Sequence, residues 1–202
     1  LLMTDPIFRQ LGQQAYEPTI QKMVELVSAD DFKEEIWFLS HPPVYTLGTA
    51  ANKEHILNPK DIEVIQTDRG GEVTYHGPGQ LVIYFLLDVK KRKLGPRKLV
   101  ESLEQFLIAL LKKYSIDGSL ICGSPGVYVD QAKIASIGLR IKKGRSYHGI
   151  SLNTDMDLAP FYGINPCGYE GLQVTQLIDL NKEANFISVE EQAIALAKKV
   201  FK

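Results

Sequence analysis

Cysteine and histidine are scarce in this chain, with two of the first and four of the second among 202 residues. With no secretory signal expected, no disulfide is expected either, and Cys122 and Cys167 read as free thiols. Nor do the few His and Cys residues show the spacing of metal ligands, so no metal is expected. An excess of one charge is also missing. The 23 Lys and Arg residues against 24 Asp and Glu leave a formal net charge of -1, which argues against a dedicated nucleic-acid binder. No apolar run approaches the roughly 18 residues of a membrane span. The opening LLMTDPIFRQ lacks a basic stretch and a long apolar one, so it is not expected to be a secretory signal. No function is assigned to Leu1-Leu2-Met3. Internal repeats and low-complexity linkers are absent too. What is left is ordinary globular chain, 45% hydrophobic and 23% charged. It reads as one cytoplasmic domain over residues 1–202, long enough to bury a core unaided.

Strand signals dominate. Ile7 to Leu11, Ile36 to Leu39, Val44 to Leu47 and Ile62 to Ile65 read as strands. Leu81 to Leu87 is apolar without a break, as expected of a strand buried on both faces. Val127 to Val129, Ile134 to Ile141 and Tyr147 to Leu152 add three more. Pro18 suits the first turn of a helix carrying Ile20, Met23, Val24 and Val27. Past Gly95-Pro96, the residues Leu99, Val100, Leu103, Phe106, Leu107, Leu110 and Leu111 recur at helical spacing. Ser188 and Glu191 form a capping-box pattern before a final helix reaching about Val200. Strands outnumber helices and often follow one another directly. The expected class is α+β, a mixed sheet flanked by helices.

The stretch RGGEVTYHGPGQL concentrates four glycines, a histidine and an arginine ahead of the buried strand. It is not a phosphate loop, for it has no GxxxxGK[ST] pattern and opens a strand rather than a helix. Missing side chains at Gly70-Gly71 and Gly77-Pro78-Gly79 fit either a pair of turns around a hairpin or a ligand lying close to the backbone. Arg69, Thr74 and His76 add polar groups to the same loop. Cys167 lies between Pro166 and Gly168, where a thiol can be exposed and oriented. A nucleophilic cysteine also needs a nearby cation or base, for which Lys133, His76 and His148 are candidates. The plainer readings are a small buried apolar residue at Cys167, a lysine that snorkels at Lys133 and a satisfied strand histidine at His148. Lys90 to Lys93 with Arg97 and Lys98, and Lys142, Lys143 and Arg145, read as solvated loops or as patches for an acidic partner. Tyr45, Tyr75, Tyr84 and Tyr128 are assigned to packing.

Together, HPPVYTLG from His41, RGGEVTYHGPGQL, SPGVYV followed by KIASIGLRI, HGISLN and NPCGYEG resemble the lipoyl(octanoyl) transferases. Their order and spacing hold from about Ile7 to Leu177. The resemblance implies a fold like the catalytic module of biotin and lipoate protein ligases. It also implies transfer of an octanoyl or lipoyl group from acyl carrier protein to a lysine of a lipoyl domain, through an acyl-thioester on cysteine. The acceptors it implies are the lipoyl domains of 2-oxoacid dehydrogenases and the glycine cleavage H protein. No cofactor is implied.

By the same resemblance the nucleophile maps onto Cys167, and the lysine that favours its thiolate onto Lys133. The acyl-binding segments map onto Arg69, Gly70, Gly71, Glu72, Val73, Thr74, Tyr75 and His76, onto Ser136, Ile137 and Gly138, and onto Gly149, Ile150 and Ser151. Ser136 and Ser151 stand where alanine is common in the family, and Gln176 where serine is frequent. Backbone N–H groups near Cys167 and Gly138 are candidate donors to the tetrahedral intermediate. Competing readings are an ATP-dependent lipoate–protein ligase, an amidotransferase between lipoyl-type proteins, and a non-catalytic carrier-binding module.

Overall fold

The computed structural model describes residues 5–202, so the reading of Leu1-Leu2-Met3 lies outside the described residues. In chain order come β1 (Ile7–Gln13), α1 (Tyr16–Ser28), β2 (Glu35–Ser40), β3 (Val44–Leu47), β4 (Glu63–Gln66), β5 (Val73–His76) and β6 (Gln80–Leu86). Then follow α2 (Pro96–Lys112), β7 (Ser119–Ile121), β8 (Ser124–Val129), β9 (Ala132–Lys142), β10 (Arg145–Asn153), α3 (Leu177–Leu180) and α4 (Phe186–Val200). The strands form a seven-stranded sheet in the order β1-β2-β6-β10-β9-β8-β7 and a three-stranded sheet in the order β4-β3-β5. Each sheet mixes one parallel pair, β1 with β2 and β3 with β4, with antiparallel ladders. The class is α+β, as expected.

Sequence pattern explains the layering. Strand β6 is buried along its whole length and supplies both faces of the large sheet. Leu81, Ile83 and Phe85 face α2 and α4, meeting Leu103, Phe106, Leu107, Ala193 and Ala197. Val82, Tyr84 and Leu86 face the other way, onto Met23 and Val27 of α1. Burying each such aliphatic side chain is worth about 1.5–3 kcal/mol, which makes this two-sided strand the axis of the fold. The small sheet has its own core of Tyr45, Leu47, Val73, Tyr75, Phe161 and Ile164. It covers the part of the large sheet that α1 leaves open, and Gly70 N donates to Leu139 O of β9 at 3.0 Å. A cavity lies between the two sheets.

Two expectations change. Ser188 does not cap α4. Asn185 does, its side-chain oxygen accepting from Ser188 N at 3.0 Å. The helix starts a turn early because Phe186 packs against the main core. The basic runs are also not wholly solvated. The Arg92 guanidinium grips both Glu34 oxygens at 2.8 Å, and Arg145 donates to Val27 O and Ala29 O while lying 4.5 Å from the Phe32 ring. These two arginines tie loops together, and the lysines beside them stay exposed. Among the described residues no helix is long and apolar enough to cross a membrane.

Candidate active site

Lys133 does not snorkel. It is 4% exposed, and its Nζ donates to Pro125 O at 2.9 Å and to Cys167 Sγ at 2.8 Å. The Tyr128 ring lies 5.3 Å from the ammonium. None of the ion pairs among the described residues involves Lys133. A buried ammonium without a carboxylate costs several kcal/mol, and here its two acceptors are a carbonyl oxygen and the cysteine sulfur. The local sequence explains the placement. Gly126 has φ of 128°, and a side chain there would collide with Ala135 O and come within 2.8 Å of Lys133 Cε. Glycine is what lets the lysine stem lie flat against β8.

The Cys167 turn is pinned at both ends. Asn165 N donates to His55 O at 2.8 Å. On the other side Lys133 N donates to Gln173 O and Thr175 N to Lys133 O, at 2.8 and 3.0 Å. Cys167 itself has φ of 57°, a left-handed conformation that a non-glycine residue keeps only where its surroundings enforce it. Two amides of the turn are committed, Gly168 N to Asn165 O and Tyr169 N to Pro166 O. The Cys167 N–H is the remaining donor beside the sulfur.

Sγ opens into a cavity of about 420 Å³. Its floor is laid by Ser136, Ile137 and Gly138 of β9 and by Gly149, Ile150 and Ser151 of β10. Its roof is the segment Arg69 to His76, and Gly138 lies against Gly70 O and the Arg69 side chain. Of the residues expected to bind the acyl group, Arg69, Gly71, Glu72, Val73, Thr74, His76 and the two floor segments line the cavity. Gly70 and Tyr75 do not. Strand alternation turns Tyr75 the other way, onto Tyr45 and Phe161. Gly77 and Gly79 leave no room for a ligand either, since a side chain at Gly77 would strike Tyr75 and one at Gly79 would strike the Asp155 carbonyl.

Arg69 is buried and its guanidinium donates to Thr46 O, Thr46 Oγ1, Gly70 O and Glu72 O at 2.8–3.1 Å. None of these is a carboxylate. Arg69 is therefore the staple that holds the roof, and burial pushes its pKa down. His76 Nδ1 lies 2.7 Å from Gln80 Oε1. Gln80 Nε2 donates to Tyr75 O and Asn153 Oδ1, so Gln80 is an acceptor toward His76 and Nδ1 carries the proton. Burial, with His41 nearby, pushes His76 down to about 3. His41 is pushed down to about 4, again by burial, and its Nε2 lies 2.8 Å from Tyr84 OH. His148, at φ of 59°, is fixed by Asp68 Oδ1 at 2.8 Å. Asp68 in turn is held down to about 2, first by that hydrogen bond from His148. Of the three cationic or basic candidates named for Cys167, Lys133 is the one bonded to it.

The lipoyl protein ligase A/B catalytic domain family matches residues 13–201 of the chain. The chain belongs to that family. Two similar curated proteins, from Shewanella sp. (strain ANA-3) and Pseudomonas putida (strain W619), are both named octanoyltransferase. They are 54% identical over 188 residues and 57% identical over 175. The alignments cover 92% and 86% of this chain, and 87% and 81% of those proteins. Among solved structures, a bi-partite lipoate protein ligase from Thermoplasma acidophilum superposes with a TM-score of 0.74 at 13% identity, over 98% of this chain and 84% of that one. A biotin protein ligase from Aquifex aeolicus gives 0.57 at 14% identity, over 98% and 69%. At such identities these two speak for the fold alone, and the fold is the ligase catalytic module the sequence resembled.

Several lining residues of this family member were not legible in its sequence. Tyr16, Val82, Ser124, Pro125 and Tyr169 face the cavity, and so does Tyr84, which was assigned to packing. Tyr84 carried one signal, a phenol amid an otherwise apolar strand, since a buried hydroxyl needs a partner.

Proposed function

We propose that the protein, an acyltransferase, moves an octanoyl or lipoyl group from the phosphopantetheine thiol of acyl carrier protein to a lysine of a lipoyl domain, through a thioester on Cys167. The observation that carries this reading is the 2.8 Å contact between Cys167 Sγ and the buried Lys133 Nζ, which has no ion-pair partner among the described residues. An ATP-dependent ligase has no use for such a pair. The names of the curated relatives support it independently.

In the first half-reaction the Cys167 thiolate attacks the donor carbonyl. A tetrahedral oxyanion forms and is met by the Cys167 N–H. It collapses with cleavage of the carbon–sulfur bond to the carrier, and the departing thiolate takes a proton from Lys133. Exchange of one thioester for another is nearly isoenergetic, and the covalent step splits one transfer between two large proteins into two encounters. In the second half-reaction the acceptor amine attacks the acyl-cysteine. The Cys167 sulfur leaves as thiolate, and the now neutral Lys133 takes the amine proton. His76 does not carry protons in this scheme. A group titrating at about 3 is too weak a base for an amine near neutral pH, and it serves as a neutral acceptor in the cavity wall.

The acceptors in this scheme are the lipoyl domains of 2-oxoacid dehydrogenases and the glycine cleavage H protein, and a cytoplasmic setting goes with it. The exposed lysines near Lys91 and Lys143 form the docking patch for the acidic carrier. Two segments far apart in sequence join there, since Lys90 N donates to Gly144 O at 3.2 Å. The deciding assay is transfer to a lipoyl domain from octanoyl-acyl carrier protein without ATP. Turnover only with free octanoate and ATP would replace this reading with the ligase one. Preference for an octanoylated lipoyl-type protein over acyl carrier protein as donor would make it an amidotransferase.

A further inference from the structure

The cavity crosses the large sheet rather than running along a strand. Lys133 and Cys167 meet over β8, where Pro125 O holds the ammonium. Cross-strand register then carries the floor from Gly126 on β8 to Ser136 on β9, Ser151 on β10 and Val82 on β6. Strands lie about 4.8 Å apart, so Ser136 stands roughly 5 Å and Ser151 roughly 10 Å from β8. A saturated chain advances about 1.3 Å per carbon, from bonds of ~1.5 Å at tetrahedral angles. An acyl group held on Sγ and lying across the strands passes Ser136 near its fourth carbon and reaches Ser151 near its eighth.

Ser136 and Ser151 are direct cross-strand partners and both line the cavity. Among the described residues no hydrogen bond occupies either hydroxyl. Neither is a sealed-off atom, because Ser28 Oγ and Glu190 Oε1 are the buried side-chain atoms left without a partner. A plain alkyl chain laid over this pair would leave both hydroxyls dry and unpaired, which is unfavourable. A chain with its own donor or acceptor at that depth satisfies them.

We propose that Ser136 and Ser151 widen the acyl specificity of this pocket, so that medium-length chains carrying a thiol or hydroxyl on their outer half are accepted alongside plain octanoyl. This rests on the acyl-transfer reading above and adds to it the chemistry of the chain. The test compares loading of octanoyl and 8-hydroxyoctanoyl pantetheine thioesters onto the protein by intact mass, as a ratio of kcat/KM. In the Ser136→Ala/Ser151→Ala protein the ratio of hydroxylated to plain chain falls roughly tenfold, the value of one good hydrogen bond. Ser151→Ala alone takes most of the fall, and Ser151→Thr, which keeps the hydroxyl, restores the ratio. A ratio within about twofold of wild type in the double variant overturns the proposal, and so does failure of the threonine to restore it. If neither chain loads onto the wild type, the transfer reading fails instead. The serine pair is then read by calorimetry with octanoate and 8-hydroxyoctanoate on the Cys167→Ser protein, where the same tenfold change is expected and an unchanged ratio overturns it.

Discussion

Replacing Lys133 by methionine removes the ammonium while keeping most of the stem. Lys133 is 4% exposed and its Nζ bonds to Pro125 O at 2.9 Å and Cys167 Sγ at 2.8 Å, with no carboxylate among the described residues at ion-pair distance. Breaking a buried charge pair by removing one partner costs about 3–5 kcal/mol. Each 1.36 kcal/mol is a factor of ten. Octanoyl loading of Cys167 by a thioester donor should therefore slow roughly 10²- to 10⁴-fold in Lys133→Met, and iodoacetamide alkylation at pH 7 should slow with it. Transfer from preloaded enzyme to the lipoyl domain should slow too, because the proton acceptor is gone. Thermal stability should fall by much less than the loading rate, because the sulfur left without its partner can take up a proton and become neutral. Stopped-flow loading, alkylation kinetics, single-turnover transfer and calorimetry read the four quantities. Loading within about threefold of wild type would refute the reasoning, as would a loss of stability large enough to explain the loss of loading.

Arg69→Met should lower the melting temperature by several degrees, because Thr46, Gly70 and Glu72 lose their shared donor and a kcal/mol is worth about 2–4 °C in a chain of this size; an unchanged melting curve would show that the roof does not need the staple. Stability should fall as pH drops from 6.5 to 5. His41 and His76 titrate at about 4 and about 3 when folded but near 6.5 when unfolded, so the unfolded chain binds more protons across that window. Their contribution is complete above 6.5 and shrinks by roughly 2 kcal/mol per histidine on reaching pH 5. Urea midpoints measure it, and His41→Gln should flatten the slope. Lys91→Glu with Lys143→Glu should raise the KM for acyl carrier protein, more so at low salt, whereas an unchanged KM would leave those lysines as solvated loops. Arg92 is unsuited to that test, because its bonds to Glu34 are structural.

The sequence carried the elements that repeat at a fixed period. Leu81 to Leu87 and the Leu99 to Leu111 stripe were readable because burial on a strand or helix face imposes that period. Its chemistry was legible only through the family resemblance, since a thiol between proline and glycine reads equally as a small buried residue and a lysine at the start of a strand as a surface one. What it could not carry was the pairing across distance. Nothing near Lys133 announces Pro125 O or Cys167 Sγ, which come from a neighbouring strand and a loop 34 residues on. Two strands of the second sheet were readable, but not that they join β5 in a sheet of their own, because strand pairing is set across distance. The glycines of the HGPGQ segment read as room for a ligand, yet they admit Tyr75 and the Asp155 carbonyl. Glycine composition alone does not say which neighbour comes close.

The central claim is that Cys167 carries the acyl group. Brief incubation of the protein with octanoyl-acyl carrier protein, followed by intact-mass analysis and peptide mapping, tests it directly. One added octanoyl group on the peptide containing Cys167, absent from Cys167→Ala and discharged by a lipoyl domain, is the predicted result. An adduct that persists in Cys167→Ala, or transfer at the wild-type rate by that variant, would contradict it.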